Sequence, residues 1–268
     1  MRWNGAGLPP PPALAPRRIG ELLRAAVGLY LAHWRAFLRI VAVVVVPLTL
    51  LQYLLSDLAV RGVRVRGEEV EVTAGSWRAF AASGILAISS LLITQVLIGA
   101  LAWAVAQAVV GREPTAFESY RFGMARLWSI LWVGILVGLA AFAGFILLVV
   151  PGIFVLVRLS VAIPALVVER LRGGEALSRS WSLVRGHGWR VLGTFVTVFA
   201  LTGIVTGIFT APASGSGWLL RAVLAAIAQV ITTPFTAIVT LLVYLDLRAR
   251  AEGLDLETLA RELEAARP

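Results

Sequence analysis

Residues 128–169 read WSILWVGILVGLAAFAGFILLVVPGIFVLVRLSVAIPALVVE, a stretch whose only charges are Arg158 and the closing Glu169. Crossing a bilayer takes about 20 apolar residues in a helix. This stretch is long enough to cross twice, and its only punctuation is Val150, Pro151 and Gly152. A turn there divides it into two spans, about 128–150 and 152–169, joined without a charge. Four more runs qualify on either side, at about 36–58, 80–109, 190–211 and 222–245. The expected fold is therefore an all-α membrane protein with six transmembrane helices.

Composition agrees. Of the 268 residues 59% are apolar and 15% charged, against roughly 25% charged in soluble domains. The net charge of +9 comes entirely from arginine, because the chain has no lysine. In a soluble protein that excess would suggest nucleic acid. Here the arginines lie between the apolar runs, where they act as orientation signals and contacts to lipid phosphate, so the expected partners are membrane lipids and no nucleic acid. Cysteine is absent, which excludes disulfides, thiolate metal sites and cysteine nucleophiles.

Arginine placement sets the orientation. Arg17, Arg18, Arg24, Arg35 and Arg39 precede the first span, Arg112, Arg121 and Arg126 separate the second from the third, and Arg170, Arg172, Arg179, Arg185 and Arg190 separate the fourth from the fifth. The positive-inside rule puts these segments and both termini in the cytoplasm of a plasma-membrane protein. Residues 1–16, MRWNGAGLPPPPALAP, read as a disordered proline-rich tail, residues 17–250 as the six-span domain and residues 251–268 as an amphipathic cytoplasmic tail. Between the first two spans, VRVRGEEVEV alternates with period two. A turn on Gly67 and Glu68 would pair Arg66 with Glu69 and Arg64 with Glu71 in a small external β-hairpin at 63–72.

Three segments, one before each odd-numbered span, carry apolar residues at helical spacing and end on tryptophan, at Trp34, Trp128 and Trp189. They read as amphipathic helices lying in the interface. The first and third match at one constant offset, with Arg18, Gly20, Glu21, Leu29 and His33 corresponding to Arg172, Gly174, Glu175, Leu183 and His187. A duplicated unit of one interfacial helix and one helical hairpin would produce this pattern. So would shared selection on loops that touch lipid.

The stretches PGIFVLVRLSVAIPALVVER, EALSRSWSLVRGHGWRVLG and TPFTAIVTLLVYLDLRARAEGLDLE, beginning at residues 151, 175 and 233, together resemble the actinobacterial membrane proteins with a glycerophosphoryl diester phosphodiesterase membrane domain. That resemblance implies a multispanning fold in a lipid context. It implies no catalysis, since the catalytic barrel fused to some such proteins has no counterpart here.

Catalysis finds no support among the residues either. Hard-cation phosphodiester chemistry needs several carboxylates held together with histidines. The only histidines, His33 and His187, each adjoin an interfacial tryptophan or the glycine before it, and no serine has a hydrolase-like partner. The expectation is no enzyme, no metal and no cofactor. The glycine pairs 134/138 and 203/207 have the small-xxx-small spacing of close helix packing.

Three polar groupings remain. Arg158, about seven residues inside the fourth span, calls for a partner or a water-filled pocket; Gln52, Tyr53 and Asp57 of the first span could supply the partner, and the alternative is a side chain that snorkels to outer phosphates without one. Gln229, Thr233, Thr236, Thr240 and Tyr244 form a polar stripe along the sixth span. Asp246, Arg248, Arg250 and Glu252 form i, i+4 pairs that carry the last helix into the cytoplasm as an anchor and docking edge, up to a stop at Gly253. The expected function is a non-enzymatic membrane module that docks an unidentified protein partner or organises lipid. The alternative is a transporter or permease for a lipid or amphiphile, with Pro47, Pro164 and Pro234 opening its path.

Overall fold

The computed structural model describes residues 18–61, 63–66, 69–72 and 74–266. The proline-rich tail and the turn positions Gly67 and Glu68 lie outside them. Among the described residues, helix dominates. α1 (Ile19–Ala32) leads to α2 (Trp34–Arg61), β1 (Val63–Arg66) and β2 (Glu69–Val72), then α3 (Ala74–Val109), α4 (Ala116–Ala125) and α5 (Leu127–Leu147). α6 (Val149–Leu159), α7 (Ala162–Glu169), α8 (Gly174–Val184) and α9 (Gly188–Thr210) follow, then a 3-10 turn at Ala211–Ala213, α10 (Trp218–Glu252) and α11 (Leu256–Ala265).

Six segments are long and apolar enough to cross a membrane: Trp34–Val60, Leu92–Val109, Leu127–Leu147, Val149–Glu169, Gly188–Ala213 and Trp218–Glu252. The protein is an all-α, multi-pass membrane protein. The small sheet pairs β1 with β2 antiparallel, with Arg64 opposite Glu71 and Arg66 opposite Glu69.

The short helices α1, α4 and α8 precede spans one, three and five; α1 and α4 meet their spans at a single residue, whereas α8 ends at Val184 and passes through extended Arg185 and left-handed Gly186 (φ 85°) before the pivot. The pivot residues His33, Arg126 and His187 have φ, ψ of −123°, 21°, then −108°, 7°, then −118°, 11°, all in the sparsely allowed bridge region. Each pivot carbonyl accepts from the N–H four residues on, at Phe37 (3.1 Å), Ile130 (3.0 Å) and Val191 (3.0 Å). The helical bond ladder therefore resumes at once after the bend. Trp34, Trp128 and Trp189 follow and are 46%, 77% and 87% exposed, free to sit at the headgroup level as interfacial tryptophans do. The backbone N–H of Arg18 donates to Glu21 at 3.0 Å and that of Arg172 to Glu175 at 3.1 Å, so α1 and α8 also start on the same side-chain cap.

The core forms where α3 and α10 pack on each other and on α2. Ala100, Leu101, Ala104, Val105, Ala106 and Val109 of α3, and Ile238, Val239, Leu241 and Leu245 of α10, are almost fully buried. Small side chains on α3 let these helices approach closely. The stacked rings of Trp103 and Phe122, 4.3 Å apart, and the hydrogen bond from the Tyr120 hydroxyl to the Ile40 carbonyl lock α4 against α3 and α2.

Two expectations need correction. The fourth span is two helices, because the chain bends at Ser160 and Val161 between α6 and α7. α6 alone rises only about 16 Å. The glycine pairs also do different work from that expected. A Cβ on Gly138, Gly203 or Gly207 would meet nothing within 4 Å, and one on Gly134 would meet the Gln95 side chain rather than a helix backbone. The close backbone approaches are at Gly123, where a Cβ would come 2.5 Å from the Val96 carbonyl oxygen, and at Gly144, where it would come 2.9 Å from the Gly152 Cα. Spacing alone did not separate glycines that face a helix from glycines that face open space.

Candidate functional site

α10 stays helical to Glu252 and stops at Gly253, which takes the left-handed conformation (φ 66°) and closes its N–H on the Ala249 carbonyl. Along its last turns Tyr244, Arg248 and Glu252 fall four residues apart on one face. Both i, i+4 pairs form: Arg250 Nε donates to Asp246 at 2.9 Å and Arg248 Nε to Glu252 at 3.0 Å.

The partners of these residues lie elsewhere in the chain. Arg248 grips Glu262 of α11 with two parallel bonds, Nη1 at 2.7 Å and Nη2 at 3.0 Å, the bidentate geometry that suits guanidinium and carboxylate. Glu169, the last residue of α7, accepts from the Tyr244 hydroxyl at 2.6 Å and from Arg179 Nε at 2.8 and 2.9 Å, with Arg248 Nε at 3.7 Å. Arg179 of α8 also pairs with Glu252. Glu169, Arg179, Glu252 and Arg248 thus form a closed ring of alternating charge that ties together α7, α8 and α10, with α11 clamped on through Glu262. Burial alone would lower the Arg179 pKa, but its bonds to Glu169 and Glu252 outweigh that and hold it above its ordinary value. Beside the ring, Asp246 also meets Arg190 of α9 at 3.3 Å, and Arg112 after α3 holds Glu264 at 2.6 Å.

The anchor is therefore built differently from the expectation. Arg248 is 6% exposed and its donors go to carboxylates, so it does not reach lipid phosphate. Leu259 and Leu263 of α11 are buried against the bundle, so the tail helix is no open docking edge. Sequence spacing revealed the contacts within α10. It carried no mark of Glu169, Arg179 or Glu262, which arrive from other helices.

The expected polar stripe on α10 divides. Tyr244 belongs to the charge ring, and Gln229 is exposed. Thr233, Thr236 and Thr240 line a cleft of about 790 Å³ together with Thr202, Thr206 and Thr210 of α9, Ile163 and Pro164 of α7, and Ile98 and Leu101 of α3. That volume falls in the range of small-molecule pockets, about 300–1,000 Å³. The threonine hydroxyls mostly turn back onto their own helices: Thr202 donates to Val198, Thr210 to Thr206, Thr236 to Thr232 and Thr240 to Thr236, at 2.8–3.2 Å. Their donor capacity is used within the helix, and the lining of the cleft is mostly apolar. The bare Gly203 and Gly207 widen its α9 wall. The α9 threonines fall at 202, 206 and 210, an i, i+4 series matching the one on α10 and visible in the sequence.

Arg158 does not bridge to the first span. α6 packs on α5, α8 and α9, which takes Arg158 away from Gln52, Tyr53 and Asp57 on α2. Its guanidinium instead lies over the rings of Phe154 and Trp181, 5.0 and 5.3 Å from their centroids, and Nη1 donates to the Trp181 carbonyl at 3.3 Å. The Ser180 hydroxyl donates to the Arg158 carbonyl at 2.8 Å. These contacts place Arg158 at the level of the interfacial helix α8. Counting residues from Pro151 overestimated its depth because it assumed one continuous fourth span.

Residues 89–249, more than half of the chain, match the family described as Domain of unknown function (DUF7847). The chain belongs to that family. The matched region begins in α3 and ends in α10, so it encloses the threonine cleft, Glu169, Arg179 and Arg248, and stops before Glu252 and α11. No curated protein and no solved structure matches the chain.

Proposed function

We propose that this DUF7847 protein is a non-enzymatic module of the plasma membrane, with both termini cytoplasmic, that holds the apolar chain of a lipid or amphiphile in the cleft between α3, α7, α9 and α10. The observation that carries this reading is the turning of most of the cleft's threonine hydroxyls into their own helices, which leaves a cavity of ligand size with a mostly apolar lining. A polar solute would need free donors and acceptors in the same place. The charge ring one turn beyond Thr240 offers no catalytic carboxylate, since Glu169, Glu252 and Glu262 are each held by arginine. Lipid organisation also fits better than docking through the tail, because α11 spends its apolar face inside the molecule.

A palmitate analogue carrying a diazirine near its tail tests the cleft. In proteoliposomes its crosslinks should concentrate on residues 199–210 and 232–241, and the Gly203→Leu/Gly207→Leu double variant should reduce them at least severalfold, since space exists for both side chains. Labelling spread evenly over all lipid-facing helices, unchanged in the double variant, would remove the proposal. The transporter alternative rests on the same cleft. Protein-dependent movement of a fluorescent phospholipid between leaflets, abolished by the double variant, would favour it.

A further inference from the structure

A second cavity, of about 410 Å³, lies where α6 crosses the junction of α8 and α9. Its polar end is formed by Arg158 with Gly186, Gly188 and Trp189, and its other wall by Val150, Ile153, Phe154, Val157 and Leu192. Among the described residues no carboxylate reaches Arg158. The guanidinium has one acceptor, the Trp181 carbonyl at 3.3 Å, it lies over two aromatic faces, and its Nε is buried with no partner. Arg179 and Arg248 of the charge ring, by contrast, each hold a carboxylate. A guanidinium with five donors and no counter-charge, at the level of an interfacial helix, calls for an anion from outside the chain.

The surroundings define that anion. Gly188 opens α9, a 23-residue helix whose first N–H groups have no intrahelical acceptor. The absence of side chains at Gly186 and Gly188 leaves that backbone uncovered toward the cavity. The α9 N-terminus and the Arg158 guanidinium line the same cavity, and each of them favours phosphate. The remaining wall is entirely hydrocarbon: Val150 and Phe154 are 76% and 50% exposed along α6. A free phosphate would gain nothing from that wall, whereas a phospholipid would lay an acyl chain along it. We infer that this cavity is a binding site for an anionic phospholipid, with the phosphate on Arg158 and the α9 N-terminus and one acyl chain against α6. Its residues are distinct from those of the threonine cleft, so it stands or falls independently of the function proposed above.

Native mass spectrometry of the full chain, delipidated in detergent and titrated with dioleoyl phosphatidylglycerol, tests the site. The wild type should bind one phosphatidylglycerol about tenfold more tightly than the Arg158→Gln variant, the size expected for losing a charge-assisted hydrogen bond. Arg158→Lys, which keeps the charge but not the planar fork, should fall between them. Ile153→Trp, which fills the apolar wall without touching the cation, should weaken phosphatidylglycerol to a similar degree, and it decides the matter if Arg158→Gln does not fold. Inorganic phosphate should bind far more weakly than the lipid, and dioleoyl phosphatidylcholine should not replace phosphatidylglycerol at equal concentration. Unchanged phosphatidylglycerol binding in both Arg158→Gln and Ile153→Trp would overturn the inference. Inorganic phosphate binding as tightly as the lipid would also overturn it, by identifying a free-anion site, and so would equal occupancy by phosphatidylcholine.

Discussion

Among single residues, Arg248 and Arg250 give the sharpest contrast, because two arginines separated by one helical step face different surroundings. Arg248 is buried and held by Glu252, Glu262 and Tyr244, whereas Arg250 is partly exposed and pairs with a buried Asp246 that also meets Arg190. Removing one partner of a buried ion pair strands the others and costs about 3–5 kcal/mol, and the loss is smaller where a second cation remains beside the stranded carboxylate. Arg248→Ala should therefore lower the detergent melting temperature strongly and Arg250→Ala less, because Arg190 still faces Asp246. Equal effects would mean that the ring does not hold the helix ends together. The sequence showed which residues of α10 pair with one another, because i, i+4 spacing fixes neighbours within a helix. It could not show that Arg248 is buried, since burial depends on α11 folding back, and nothing in the spacing of Glu262 points to a residue fourteen positions earlier.

At the scale of elements, the three interfacial helices and the six apolar runs were legible because each follows from a local rule: helical periodicity, tryptophan at the membrane entrance and arginine on one side. The one-residue kinks at His33 and Arg126, and the similar backbone angles at His187 after the longer α8–α9 junction, give the sequence repeat a partial geometric counterpart. What stayed hidden depends on crossing geometry. Glycine spacing suggested contacts at 134/138 and 203/207, whereas tight packing falls at Gly99, Gly123, Gly144 and Gly152. Gly123→Ala should cost about 1–3 kcal/mol by forcing α4 off the α3 backbone. Gly207→Ala should be neutral or stabilising by up to about 1 kcal/mol, since its surroundings are open and alanine is the better helix former. Thermal melts of the two variants compare these outcomes directly. The split of the fourth span has its own consequence. α5 rises about 31 Å over its 21 residues, close to the hydrocarbon thickness of roughly 30 Å, while α6 returns only about 16 Å before the bend at Ser160. The residues at its apex, from Phe145 to Val150, are all apolar and 43–76% exposed. This apex should lie at the far boundary of the hydrocarbon, so a cysteine at Val150 should react with an impermeant maleimide, which requires a hydrated thiolate, more slowly than one at Ser214. Labelling as fast as at Ser214 would mean that the hairpin emerges into water.

On the scale of the whole molecule, the charged ring, the arginine-bearing loops and the short helices α1, α4, α8 and α11 gather at one end of the bundle, linked by Arg112 to Glu264, Arg190 to Asp246 and Arg248 to Glu262. The β-hairpin and the 3-10 turn at Ala211–Ala213 cap the other end. This segregation gives the bundle a polar base and leaves its middle to the threonine cleft. Composition and arginine placement predicted the arrangement because charge near the ends of spans is what orients a membrane protein. The cleft was not predictable as a cavity, since it requires α9 to stand off from α3 and α7. The account depends most on all the arginine-rich segments facing the cytoplasm, and the absence of native cysteine makes this directly measurable with single cysteines in intact cells. Ser214, exposed after the 3-10 turn, and Ser182, exposed on α8, lie at opposite ends. With an impermeant maleimide, Ser214→Cys should label before lysis and Ser182→Cys only after it; labelling of Ser182→Cys in intact cells, with Ser214→Cys protected, would contradict the account.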